Sequence, residues 1–235
     1  AMIYPMIMSA VGVIVVAILL TTVVPRVTQL IEGRGQELPT PTMILVATSK
    51  FLVGYWALIL VGLIAAAVAF QTFVNSEKGR LAFDRFKLRL PVFGDLMKKQ
   101  AMARFSITLS TLLRSGVPAL QAIQVTKAVL DNKVLQNALQ MVHDRVVEGT
   151  DLATPMKMAG VFPPTVSYMV GVGEQAGNLE EMLERIASSY DEEVDLATQK
   201  LTSVLEPIII VLLATIVAGI VIAIVMPLMQ LQRMK

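Results

Sequence analysis

The chain has no cysteine, one histidine and one tryptophan among its 235 residues. Disulfides and thiolate metal centres are thereby excluded, although the compartment is not fixed by that absence. The single histidine, His143, stands beside Asp144 inside a helical pattern and reads as a solvated helix residue rather than a metal ligand. No G-x-x-x-x-G-K-[ST] phosphate loop is present. The spacing Gly171-x-Gly173-x-x-x-Gly177 is one residue too long for a dinucleotide fingerprint, and no strand precedes it. Any ATP hydrolysis connected with this chain must therefore belong to a partner. Sustained two-residue alternation is missing too, so strands are not expected and the fold class is all-α.

Charge is missing where its absence matters most. Ala1–Pro25, Phe51–Ser76 and Pro207–Gln232 carry no charged residue, and the mean hydropathy of the chain is +0.67. A membrane span needs roughly 20 mainly apolar residues, and each stretch is long enough. We therefore expect an all-α membrane protein with three transmembrane helices and one six-to-seven-helix bundle. The expected divisions are 1–25 (span one), 26–50 (a short outer connection), 51–74 (span two), 75–206 (the bundle), 207–230 (span three) and a tail at 231–235. Span one has no basic residue ahead of it and no small-residue cleavage pattern after it, so it is not read as a signal peptide. It begins with almost nothing in front, so a fragment of a longer protein is expected.

Lysine and arginine set the orientation. Lys78, Arg80, Arg85, Lys87 and Arg89 crowd the exit of span two, against Arg26, Arg34 and Lys50 in the connection before it. The bundle is thus expected in the cytoplasm. Residues 77–206 hold 15 basic and 16 acidic side chains, a balance without the electrostatic footprint of nucleic-acid binding.

Within the bundle the punctuation is clear. Helices are expected over 75–89, Leu96–Arg114 with Asp95 as cap, Ala119–Leu130 behind Pro118, Lys133–Glu148, a short one after Asp151, and Thr165–Gly173. Gly177 suits a left-handed helix end, and Asn178 is placed to cap the next helix with Glu181 reaching back. From there Leu179, Met182, Leu183, Ile186, Tyr190 and Val194 form one apolar stripe leading to Glu206-Pro207 and the last span. Asp191, Glu192, Glu193 and Asp195 spread over the polar side and read as a solvated or protein-binding face. Glu206 is an acid at a membrane boundary, which makes it a functional candidate. Ser203-x-x-Glu206 before Pro207 reads equally well as a helix start at the interface. Gly12 on span one and Ala214, Ala218 and Gly219 on span three offer small surfaces for close helix approach.

Leu112-Leu-Arg-Ser-Gly-Val-Pro118, Glu148-Gly149, Phe162-Pro-Pro164, Gly173-Glu-Gln-Ala-Gly-Asn-Leu179, Leu205-Glu-Pro207 and Pro227 occur in this order. With Tyr4-Pro5, Val24-Pro25 and Leu38-Pro39 they resemble the inner-membrane platform proteins of bacterial type II secretion and type IV pilus assembly. The resemblance implies a multi-pass inner-membrane protein with no catalytic site, cofactor or metal. It also implies that a first cytoplasmic helical domain, homologous to the bundle, is missing from this chain. Its implied partners are a hexameric secretion or assembly ATPase, other inner-membrane platform components, pilin or pseudopilin subunits, lipid and further copies of itself, with no nucleic acid. It points to Gly173, Glu174, Gly177, Asn178, Leu179, Glu206 and Pro207 as a junction between bundle and membrane. Leu228-Met-Gln-Leu-Gln232 resembles the type II secretion members rather than the pilus members. A small transporter or channel is the competing class; it would need ionisable groups or broken helices at mid-membrane.

Overall fold

The computed structural model describes residues 3–32 and 39–233. Among these every regular element is helical, in keeping with the all-α expectation. In chain order they are α1 (Ile3–Ile18), a π-helical turn (Leu19–Val23), α2 (Val24–Glu32), α3 (Thr40–Asn75), α4 (Glu77–Arg89), α5 (Phe93–Arg114), α6 (Ala119–Val129), α7 (Lys133–Val147), α8 (Ala153–Ala159), α9 (Pro164–Ala176) and α10 (Leu179–Arg233). Three helical segments, Met6–Arg26, Thr40–Asn75 and Leu179–Met226, are long and apolar enough to cross a membrane.

The chain divides into two compact units. The first comprises Ala1–Ala69 with Gln199–Lys235, the second Phe70–Thr198. The second unit is a helical bundle closed around Met102, Phe105, Leu109, Ile123, Leu135, Leu139, Met156, Val166, Val170, Leu183 and Ile186, all at most 1% exposed. The rings of Phe105 and Phe162 meet with centroids 5.6 Å apart, tilted by 51°. The apolar stripe of α10 enters this core at Leu183, Ile186 and Ala187 and becomes half-buried further on, at Val194 and Ala197. Helix α5 is lashed to α10 at successive levels. Ser110 Oγ donates to Glu180 O at 2.9 Å, Arg114 pairs with Glu184, and Lys99 reaches Glu193 at 3.1 Å. Lys99 also bonds Asp95 at 3.0 Å, and Asp95 and Glu193 together raise the pKa of its ammonium above the ordinary lysine value.

Several helix limits differ from the sequence reading. Helix α5 begins at Phe93, so Asp95 lies in its first turn instead of capping it. The turn before it is tight. A Cβ at Gly94 would come within 2.5 Å of Leu88 O, and Val92 takes φ 67°, a strained value for a β-branched residue. Helix α9 runs through Gly171 and Gly173 to Ala176 instead of stopping at Gly173.

Span one is expected to end at Pro25, and Glu206-Pro207 is read both as the point where the long helix passes into the last span and as a helix start at the interface. The backbone instead stays helical across Pro25 by way of the π-turn, and α10 continues through Pro207 and Pro227 without a break. A proline removes one i→i−4 bond and crowds the preceding turn, and a π-turn is one way to relieve that crowding.

In the first unit Leu20, Val24, Val46 and Ile220 form the buried apolar cluster, flanked by Val16, Leu45, Leu52 and Ile224. A Cβ on Gly12 would sit 2.5 Å from both Leu213 methyl carbons, so α1 packs on α10 where Gly12 leaves room. Ala214, Ala218 and Gly219 are exposed, and nothing lies within 4 Å of a Cβ built on Gly219. Of the two glycines singled out, Gly12 meets a neighbouring helix this closely and Gly219 does not.

Candidate functional site

The stretch from Gly173 to Leu179 folds as one compact helix-to-helix junction. Gly177 adopts φ 69°, ψ 22°, the left-handed conformation that ends α9. The Asn178 N–H donates to Gly173 O at 2.9 Å and the Gly177 N–H to Glu174 O at 3.4 Å. This pair of bonds is a Schellman motif, and it satisfies carbonyls that the helix end would otherwise orphan. Gly173 itself is buried. A Cβ there would lie 2.8 Å from Met182 Cγ and 3.0 Å from Leu179 Cα. The end of α9 can therefore lie against the start of α10 only with a glycine at 173.

The expected capping box does not form. The Asn178 carbonyl accepts the first helical bond of α10 from Met182 N–H at 3.2 Å, but its side-chain Oδ1 is buried without a partner. Glu181 does not reach back either; its carboxylate takes Arg185 at 2.7 Å. The backbone motif therefore makes the turn, and the Asn178 side chain contributes no cap bond.

Glu174 is exposed, yet both of its carboxylate oxygens lie 2.9 Å from the Leu152 N–H. The carboxylate serves the start of α8, where Asp151 Oδ1 also accepts from Thr154 N–H at 3.3 Å. One side chain thus ties the last turn of α9 to the α7–α8 loop. Leu179 packs against the bundle core. Gly173, Glu174, Gly177, Asn178 and Leu179 are therefore assembled in one place. Glu206 and Pro207 belong to the other unit, where Glu206 is half-buried and Pro207 exposed on an unbroken helix.

Gly173→Val and Gly177→Val are each expected to lower stability by about 1–3 kcal/mol, the first by overpacking and the second by strain at positive φ. Gln175→Val, at the exposed position between them, should stay within about 0.5 kcal/mol. Thermal melts of the purified variants check this; equal midpoints for all three would remove the special role of the glycines.

Among the described residues there is no group of three acidic or histidine side chains that would hold a metal ion. His143 is less solvated than its sequence suggests, with its side chain 16% exposed and Nδ1 3.1 Å from Asp144 Oδ1. That contact, with Gln140 beside it, holds the Asp144 carboxyl below its usual range.

Comparison with known proteins places this geometry. The family model described as Type II secretion system (T2SS), protein F, matches residues 105–227, which include the whole junction and the apolar part of α10 through Pro227. The chain belongs to this family. It is 39% identical over 232 residues to the type IV pilus assembly protein PilC of Pseudomonas aeruginosa, covering 98% of this chain and 62% of that protein. It is 37% identical to the PilC of Myxococcus xanthus, over 98% of this chain and 55% of that protein. It is 36% identical to the type II secretion system protein F of Aeromonas hydrophila, over 100% of this chain and 60% of that protein. The chain thus spans roughly three-fifths of the length of these relatives.

In this member of the T2SSF family one node escaped the sequence reading. Asp84 on α4 is 2% exposed. Its carboxylate accepts the Lys133 N–H at 2.8 Å and pairs with Lys87 at 2.6 Å, while Asn132 Nδ2 donates to the Asp84 carbonyl at 3.3 Å. Asn132 in turn caps α7, accepting from Val134 and Leu135 N–H. The node joins the first helix after α3 to the start of α7. The only sequence sign was an acid three residues before a lysine, which many solvated helices share.

Proposed function

We propose that this chain is part of an inner-membrane platform that couples a cytoplasmic hexameric ATPase to the extraction of pilin-like subunits from the bilayer. It would act as a structural transmitter and not as an enzyme. The observation that carries this reading is α10. One helix supplies core residues to the bundle at Leu183 and Ile186 and continues as the third apolar segment, and it does so in a chain of this family. In this reading the bundle lies on the cytoplasmic side, supported by the five basic residues that follow span two. The ATPase then acts on the bundle, and the junction at Gly173–Leu179 sets how α9 and α8 bear on α10.

Two systems use such a platform. The C-terminal pattern Leu228-Met-Gln-Leu-Gln232 favours type II secretion, with pseudopilin as the subunit moved and protein export as the outcome. The two Pseudomonas aeruginosa relatives favour type IV pilus assembly, at 39% identity to PilC against 32% to the type II protein F. Deletion of the whole gene in its host, followed by assays of exoprotein release and surface pili, tests the shared role. Loss of either process is expected, and the one lost names the system. Both processes intact would overturn the proposal.

A further inference from the structure

Helix α3 has 36 residues, and those buried in the structure are Thr42, Val46 and Ser49. Spaced at four and three residues, they lie on one face of the helix. Two of the three are hydroxyls, and neither bonds to its own helix. Ser49 Oγ donates to Leu20 O at 2.5 Å, and Thr42 Oγ1 donates to Ala223 O at 2.6 Å.

The two accepting carbonyls share a history in the sequence. In an α-helix Leu20 O would take the N–H of residue 24, and in a π-turn that of residue 25. The Val24 N–H is given to Leu19 O, and Pro25 has no N–H. Ala223 O would take the N–H of residue 227, which is again a proline. Each proline thus strips a carbonyl of its helical donor, and both residues that carry these carbonyls are buried, Leu20 at 8% and Ala223 at 3% exposed. A buried carbonyl without a donor costs on the order of 1–3 kcal/mol. Pro207 provides the contrast. The carbonyl it frees is that of Ser203, which is exposed and can be solvated.

We propose that Ser49 and Thr42 are positioning residues that fix α3 against the other two apolar helices by donating to the carbonyls which Pro25 and Pro227 leave free. The prolines prepare the acceptors and α3 carries the matching donors, seven residues apart. The apolar window of α3 has no buried residue, and the two bonds lie with Val46 on the one face where Leu45 and Leu52 also pack against the buried cluster. Each latch can open without unfolding a helix. The inference concerns the membrane unit alone and holds whichever system the protein serves.

The test is a pair of double-mutant cycles on the complete protein in bilayers, read as unfolding rates. Ser49→Ala and Thr42→Val are each expected to speed unfolding about threefold to twentyfold, the range of interhelical hydrogen bonds in membranes. Combined with Pro25→Ala and Pro227→Ala respectively, which restore a backbone donor, the same hydroxyl losses should have no effect. An equal effect with and without the proline would overturn the proposal. Where a proline variant does not accumulate, Thr42→Ser against Thr42→Val and Ser49→Thr against Ser49→Ala decide it. The hydroxyl-bearing variant must match the parent rate and the other must not. Equal rates within each pair would overturn it as well.

Discussion

In the proposed role, Glu174→Lys is expected to abolish export or piliation, while the level of the protein in the membrane stays close to normal. The two halves of that result have separate causes. Glu174 is exposed, so lysine is accommodated sterically, and the structural loss is that of a helix-start acceptor, about 1 kcal/mol. The mechanical loss is larger. Both carboxylate oxygens hold the Leu152 N–H at 2.9 Å, and they are the side-chain tie between the turn that feeds α10 and the start of α8. A lysine has no acceptor, so α8 would be released from the junction while the Schellman turn, made by backbone, persists. Glu174→Gln retains a carbonyl acceptor and should preserve the tie in weakened form, with partial activity. Immunoblots of membrane fractions beside an export or piliation assay check both variants. Full activity of Glu174→Lys would reduce the stretch to a structural turn.

Asp84→Ala is expected to have the larger effect on stability, about 3 kcal/mol, with the bundle melting earlier and the protein losing abundance. The carboxylate is nearly inaccessible and holds two partners at once, the Lys133 N–H at the start of α7 and the Lys87 ammonium. Its removal leaves a backbone donor unpaired and a half-buried cation without its counter-charge. Asp84→Asn keeps an acceptor for Lys133 but no charge for Lys87, and should fall between the two. Thermal melts in detergent, followed by helix signal, give the order wild type, Asn, Ala. Wild-type melting of Asp84→Ala would show that α4 is not fastened to α7 through this group.

The contrast between these residues shows what the sequence carried. The helices, the three apolar segments and the left-handed turn at Gly177 were legible because each rests on local chemistry: apolar period, missing charge, and a glycine where φ is positive. Asp84 was not legible because its partner at Lys133 lies 49 residues away and no local pattern announces it. The Asn178 cap was misjudged for a related reason. One residue serves both as the end of α9 and the start of α10, and its backbone is committed to Gly173 O and Met182 N–H while its Oδ1 lies buried without a partner. Pro25 misled as the end of span one because the effect of a proline on a helix depends on what stands beside it. Hydroxyls of α3 meet the carbonyls freed by Pro25 and Pro227, and the helical course continues.

In the proposed role α10 transmits between the bundle and the membrane because it is one helix, and interrupting that helix tests the role. A Gly-Ser-Gly-Ser-Gly insertion after Thr198, where the two compact units divide, leaves the side chains of both units intact and breaks only their helical continuity. Membrane level should be normal, and the melting of the bundle unchanged. The process lost on gene deletion, whether export or piliation, should be lost here as completely. Wild-type export or piliation from the interrupted protein would contradict the account.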